Sequence, residues 1–126
     1  MISIILPCYN EEKSIENNVS KIKEEITKIN KEYEIIVVDD GSTDSSREKL
    51  KSLDVKVISH PHNLGYGAAL KTGIKNAKFD TIVISDIDGS YPPKHIPELI
   101  KIYEDSFDSS GGLDMVVGAR KGKEYD

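Results

Sequence analysis

Apolar positions along the chain switch repeatedly between two spacings. Ile2 to Leu6 is a short unbroken apolar run ended by Pro7, the pattern of a strand covered on both faces. Ile15, Val19, Ile22, Ile26 and Ile29 then recur at intervals of four and three, which predicts one apolar stripe on a long helix. Tyr33 to Val38 predicts a second strand, stopped by Asp39-Asp40-Gly41, and Thr43 or Asp44 can cap a short helix reaching Ser52. Val55 to Ser59 predicts a third strand. Asn63 to Ala77 predicts a glycine-opened helix with Tyr66, Leu70, Ile74 and Ala77 on one face. Thr81 to Ser85 is the fourth strand signal, leading into Asp86-Ile87-Asp88-Gly89. Pro92 and Pro93 suit the first turn of a last helix with Ile96, Leu99 and Tyr103 facing inward. Met115 to Val117 is a final apolar run before Gly118-Ala119-Arg120.

Strand-helix alternation of this kind implies an α/β fold, a three-layer sandwich with a mostly parallel sheet and helices on both faces. At 126 residues, the chain from 1 to 126 is expected to form a single domain, with Ser109 to Gly112 a local loop. Charge narrows the choice of partners. A formal net charge of −5, with lysines scattered beside glutamates, argues against nucleic acid or an anionic membrane held by a basic face. Cys8 is the one cysteine, so an internal disulfide is impossible and a reducing compartment is expected. No apolar run approaches the roughly 20 residues that span a bilayer, and no signal-peptide pattern opens the chain. Taken alone, the sequence reads as cytoplasmic.

The polar clusters fall at the carboxyl ends of the predicted strands, where open α/β sheets bind ligands. Strand one runs into Pro7-Cys8-Tyr9-Asn10-Glu11-Glu12, strand two into Asp39-Asp40-Gly41-Ser42, and strand four into Asp86-Ile87-Asp88. Up to six carboxylates on one rim repel one another unless a cation or a hydrogen-bonded ligand offsets them. Asp86 and Asp88, two apart in extended backbone, point to the same side and can converge. Such hard oxygen donors suit Mg²⁺ or Mn²⁺, which also take phosphate oxygens. A bare turn with loop-capping aspartates is the alternative, and position beyond a buried strand favours the ion. Asp40 can accept from the imino N–H of uracil or guanine. Asn10 can cap a helix or touch a ligand, and Glu11 can cap the same helix or accept from ribose hydroxyls. Asn63-Leu64-Gly65-Tyr66-Gly67 lacks the spacing of a phosphate loop or a dinucleotide fold. Cys8 reads as a small packing residue. His60, His62 and His95 share no metal-ligand spacing with a third ligand. Arg120, one of two arginines, fits either a surface position or a diphosphate contact.

Five motifs in order carry a resemblance: Pro7 to Glu12, Val37 to Asp44, Asn63-Leu64-Gly65 leading to Ala68-Ala69, Asp86 to Pro93, and Val117 to Arg120. Their order and spacing resemble the inverting glycosyltransferases of family two, which have the GT-A fold. The resemblance is nearest to dolichyl-phosphate mannose synthase-like polyprenyl-phosphate sugar transferases. It implies a UDP- or GDP-linked sugar donor, a Mg²⁺ or Mn²⁺ ion and a polyprenyl-phosphate acceptor. Pro7, Tyr9 and Glu11 would line base and ribose, with Val38 and Asp40 completing that pocket. Asp86, Ile87 and Asp88 would meet the ion and the diphosphate, and Arg120 the phosphates. Ser90 departs from the glutamine often found there. The resemblance also implies that acceptor-site residues and the catalytic base lie beyond this segment, in a protein working at the cytoplasmic membrane surface if it carries membrane helices. An antiparallel strand from that missing half would lie between the fourth and fifth strands. Without it the fourth strand exposes an apolar edge, so the expectation is a homodimer across that edge or the fifth strand in the vacant place.

The reaction so implied is inverting sugar transfer, with the ion stabilising the departing diphosphate. The rival reading is a nucleotide-sugar-binding fragment with no turnover on its own. A dinucleotide oxidoreductase fails at Pro7 to Glu12, where its glycine-rich turn should stand, and a sugar nucleotidyltransferase fails at the same place.

Overall fold

The computed structural model describes residues 1–88, 92–107 and 111–112. Four strands form one parallel sheet: β1 (Ile2–Cys8), β2 (Tyr33–Asp39), β3 (Lys56–Ser59) and β4 (Thr81–Ile84), in the order β3-β2-β1-β4. Between them run α1 (Ile15–Thr27), α2 (Ser46–Lys51) and α3 (Tyr66–Lys75). After β4 a short 3-10 turn (Pro93–His95) leads into α4 (Ile96–Asp105).

The alternate faces of β1 and β2 make two cores. Ile2, Ile4, Leu6 and Cys8, with Ile35 and Val37, pack against α1, α2 and α4 through Ile15, Val19, Ile22, Ile26, Leu50, Ile96 and Ile100. Ile5, Ile36 and Val38 face the other way and pack against Ala69 of α3. Helices therefore cover both faces, and the chain crosses from one face to the other between β3 and β4. The strand order reverses at the β1/β4 boundary. That reversal opens a crevice at the carboxyl ends of β1 and β4, where a ligand can enter between diverging loops.

Two expectations about packing change. β1 does not stop at Pro7 but continues to Cys8, with Pro7 in register with Val38. Ile5 accepts from Ser85 on the β4 side and Cys8 accepts from Asp40 on the β2 side. Pro7, two residues after Ile5, thus turns its missing N–H toward β4, whose pairing has already ended. At α3 the innermost residues are Ala69 and Gly73; of the expected stripe, Leu70 and Ala77 pack against the same core, while Tyr66 and Ile74 are exposed. A Cβ at Gly73 would collide with the Ile5 side chain, so close approach of helix to sheet selects the small residues. In α4, Ile96 and Ile100 are buried and Leu99 and Tyr103 only partly so. The Met115–Val117 strand, and with it any neighbour for β4 on that side, lies outside the described residues. Among the described residues β4 is an edge, with Ile84 44% exposed. No helix among them is long and apolar enough to cross a membrane.

Candidate functional site

At the β1/β4 crevice lies a cleft of about 380 Å³. Pro7, Cys8, Tyr9 and Glu11 line it from the end of β1, Asp40 from β2, and Asn63, Gly65 and Tyr66 from the entry to α3. Asp86, Ile87 and Asp88 close it from the end of β4. Seven of the nine site residues expected from the sequence therefore share one cavity: Pro7, Tyr9, Glu11, Asp40, Asp86, Ile87 and Asp88. The Val38 side chain is instead buried with Ile5, Ile36 and Ala69, because alternation along β2 turns it toward α3. Arg120 and Ser90 lie outside the described residues.

The loops under the cleft are tied by short polar side chains. Asn10, at φ +52°, accepts the backbone N–H of Thr43 at 2.8 Å and of Asp44 at 3.3 Å on its Oδ1. It joins the first loop to the second and does not cap α1. Asp44 accepts the Ser46 N–H at 2.8 Å in a turn just ahead of α2, whose N-cap is Ser45 and not Thr43 or Asp44. Glu12 accepts from the Ser45 amide and faces away from the cleft. Gly41, at φ +75°, has the His62–Asn63 backbone lying where a Cβ would stand.

The two aspartates ending β2 serve different neighbours. Asp39 is fully buried; it accepts from the Ser42 amide at 3.0 Å and from Arg47 Nε at 2.8 Å. Burial alone would raise its carboxyl, but the bonds from Ser42 and Arg47 outweigh burial and hold it below its ordinary value. Asp40, 4% exposed, accepts from His60 Nδ1 at 2.8 Å and the Leu64 amide at 2.8 Å on Oδ1, and from the Gly65 amide at 3.0 Å on Oδ2. Burial is again the largest influence and is again outweighed, here by His60, Leu64 and Gly65, so the carboxyl stays ionised. His60 had no assigned role from sequence. Its place directly after β3, on the same rim as the acidic clusters, is the signal that could have found it.

Asp86 and Asp88 stand beyond the end of β4, where the chain bends at Ile87 and Asp88. Their arrangement comes from Ile87 between them, which is buried in the α1 core while its carbonyl accepts from Asn18 Nδ2 at 2.8 Å. Asn18 is the one buried polar position on the inner face of α1. It pins the loop so that Asp86 and Asp88 line the cleft on either side of an anchored residue. Burial, and then the charges of Asp88, Asp44 and Asp86, push the Glu11 carboxyl above its ordinary value. Burial and Asp86 likewise raise Tyr66. The carboxylates of the cleft mouth are thus close enough to act on Glu11 and Tyr66. No group of three or more metal-ligating side chains is assembled among the described residues. Two carboxylates beside open space still match Mg²⁺ or Mn²⁺, which keep several positions for water and phosphate oxygens. Cys8 adds no charge: burial first, then Asp39, push its thiol up to about 12.

The sequence model described as Glycosyl transferase family 2 matches residues 3–125. The chain is 37% identical over 123 residues to a dolichol-phosphate mannosyltransferase of Pyrococcus furiosus, covering 94% of this chain and 33% of the relative. It is 33% identical over 131 residues to an undecaprenyl-phosphate 4-deoxy-4-formamido-L-arabinose transferase of Proteus mirabilis, covering 99% of this chain and 38% of that protein. Its fold is similar to a mannosyltransferase of Pyrobaculum calidifontis in complex with GDP-Man and Mn²⁺. The TM-score is 0.69 at 27% identity, over 79% of this chain and 31% of the other. The chain therefore spans about a third of the length of the curated relatives it matches.

Proposed function

The chain belongs to glycosyltransferase family 2, and from that premise we propose that its cleft binds a uridine or guanosine diphosphate sugar for inverting transfer to a polyprenyl phosphate. The observation that carries this reading is the single cleft in which Asp40 faces the Asp86-Ile87-Asp88 loop across the end of β1. It pairs a hydrogen-bond acceptor for a ring at one end with a carboxylate pair for a cation and diphosphate at the other.

Each residue's role follows from its surroundings. Asp40 accepts the imino N–H that uracil and guanine both present. Tyr9, 43% exposed on the cleft, offers a ring face to the base, beside Pro7. Glu11 accepts from ribose hydroxyls. Val38 supports the pocket from beneath by fixing β2 against α3. Asp86 and Asp88 would hold Mg²⁺ or Mn²⁺, which when bound neutralises charge on the departing diphosphate. Ile87 keeps the two carboxylates apart and aimed at the cleft. Arg120 shares the phosphate charge. A polyprenyl phosphate is already anionic and attacks the sugar carbon without a protein base. Its lipid tail puts the reaction at the cytoplasmic membrane surface.

Calorimetry of the chain with UDP and with GDP, each with and without Mn²⁺, tests the proposal. Binding of one nucleotide that strengthens with Mn²⁺ is the expected result. Binding indifferent to the ion would sink the assignment of Asp86 and Asp88.

A further inference from the structure

His60 is 7% exposed and locked on four sides. Its amide donates to the Asp39 carbonyl at 2.8 Å, and its own carbonyl accepts from Arg47 at 3.3 Å. Its ring bridges two elements, with Nδ1 2.8 Å from Asp40 Oδ1 and Nε2 2.8 Å from Thr72 Oγ1. An ionised carboxylate can only accept, so Nδ1 carries the proton toward Asp40. In the neutral ring Nε2 is then an acceptor, and the Thr72 hydroxyl donates to it. Thr72 belongs to α3, whose first residue, Tyr66, lines the cleft. One side chain thus couples the β2 rim to the helix that forms the opposite wall.

A carboxylate oxygen has about two acceptor positions. Oδ1 of Asp40 uses both, on His60 and the Leu64 amide, whereas Oδ2 uses one, on the Gly65 amide. The remaining acceptor capacity is on a single known atom. We propose that His60 is a positioning residue for nucleobase recognition: by occupying Oδ1 it leaves Oδ2 as the acceptor for a ring imino N–H. This inference rests on the reading of the cleft as a nucleotide site. Without His60 the carboxylate has two competing free positions and one fewer restraint on its rotation. The base then loses its fixed register, while the diphosphate end, built on Asp86 and Asp88, is untouched. Bases whose ring nitrogen is an acceptor, as in adenine and cytosine, find no matching donor at Oδ2.

The test is calorimetry with UDP, GDP and inorganic pyrophosphate, all with Mn²⁺, on the unaltered chain and on His60→Ala, His60→Asn and His60→Gln. Asn presents an amide N–H near the position of Nδ1, and Gln presents one near Nε2. His60→Ala is expected to weaken the preferred nucleotide about tenfold, the scale of one charge-assisted hydrogen bond, with pyrophosphate binding unchanged. His60→Asn should recover most of that loss, and His60→Gln should not. Equal weakening of nucleotide and pyrophosphate, no weakening at all, or equal rescue by Gln and Asn would each overturn the inference. If His60→Ala fails to fold, the Asn and Gln pair decides it alone. An unaltered chain that binds pyrophosphate but neither nucleotide would instead overturn the nucleotide reading itself, and the inference with it.

Discussion

Asp39-Asp40 at the end of β2 and Asp86-Ile87-Asp88 beyond β4 are alike in composition and lie on one rim, yet the fold treats them oppositely. The first pair is buried, and its oxygens accept from amides, from Arg47 and from His60, which hold both carboxyls below their ordinary values. In the second cluster it is the residue between the acids that is buried. Ile87 and its carbonyl are held by the core and by Asn18, while Asp86 is half-buried and Asp88 exposed at the cleft. The difference lies in what surrounds each strand end. β2 is central and paired on both sides, so its acids meet backbone donors from the loops after β2 and β3. β4 is an edge among the described residues, and its acids meet the cleft. Carboxylates buried among donors help to build the rim, and those beyond β4 are left facing the cleft.

This contrast predicts a graded series. Asp39→Ala should have the largest effect on folding, about 2–4 kcal/mol in chemical denaturation, because it strands Arg47 and the Ser42 amide. A loss under ~0.5 kcal/mol would mean that Asp39 is no more structural than Asp88. Acid comes next. The folded-state carboxyls of Asp39 and Asp40 lie below their unfolded values. Their contribution is therefore fully present above about pH 4 and is lost as pH falls through the depressed folded values. Stability followed by circular dichroism should decline below that pH, and the decline should be shallower in Asp40→Asn than in the unaltered chain. Asn18→Leu leaves the Ile87 carbonyl without its donor and should cost about 1–2 kcal/mol. It should also weaken Mn²⁺-dependent nucleotide binding, although Asn18 does not line the cleft.

Substitutions in the other cluster should barely move stability. Asp86→Asn with Asp88→Asn should stay within ~0.5 kcal/mol of the unaltered chain and abolish the Mn²⁺-dependent part of nucleotide binding by calorimetry. Glu11→Gln should have the smallest effect, a slight rise in melting temperature at pH 7 without added cation. Its folded carboxyl lies above the unfolded value, so ionisation opposes folding as pH rises through that folded value. The gain should vanish below about pH 4, where Glu11 is protonated in both states, and again at saturating Mn²⁺. A gain that persists in Mn²⁺ would separate Glu11 from the cation.

The strand and helix positions were legible because burial on both faces leaves an unbroken apolar run and burial on one side leaves a helical stripe. β1, β2, β4 and α1 appear where those signals fall. The face of α3 was legible only in part. Leu70 and Ala77 pack against the sheet as expected, but Tyr66 and Ile74, core residues by hydropathy, are exposed, and close approach to β1 puts Ala69 and Gly73 innermost. The position of Asp40 at the cleft was readable from its place at a strand end. The three donors already on its carboxylate were not, since His60, Leu64 and Gly65 come from 20 to 25 residues later. Asn18 was hidden for the same reason: one polar residue within an apolar stripe looks like a flaw until its partner, 69 residues away, is brought beneath it.

The sequence by itself determined the alternation of elements, the rim on which the acids gather and, through five ordered motifs, the family. These are local or periodic properties, carried by residue type and spacing. Only the tertiary structure decided which acids face inward and which face the cleft. Whether a carboxylate is a building element or a binding group depends on the donors that other segments bring to it. That depends on strand order, on which strand is an edge, and on how closely a helix packs against the sheet.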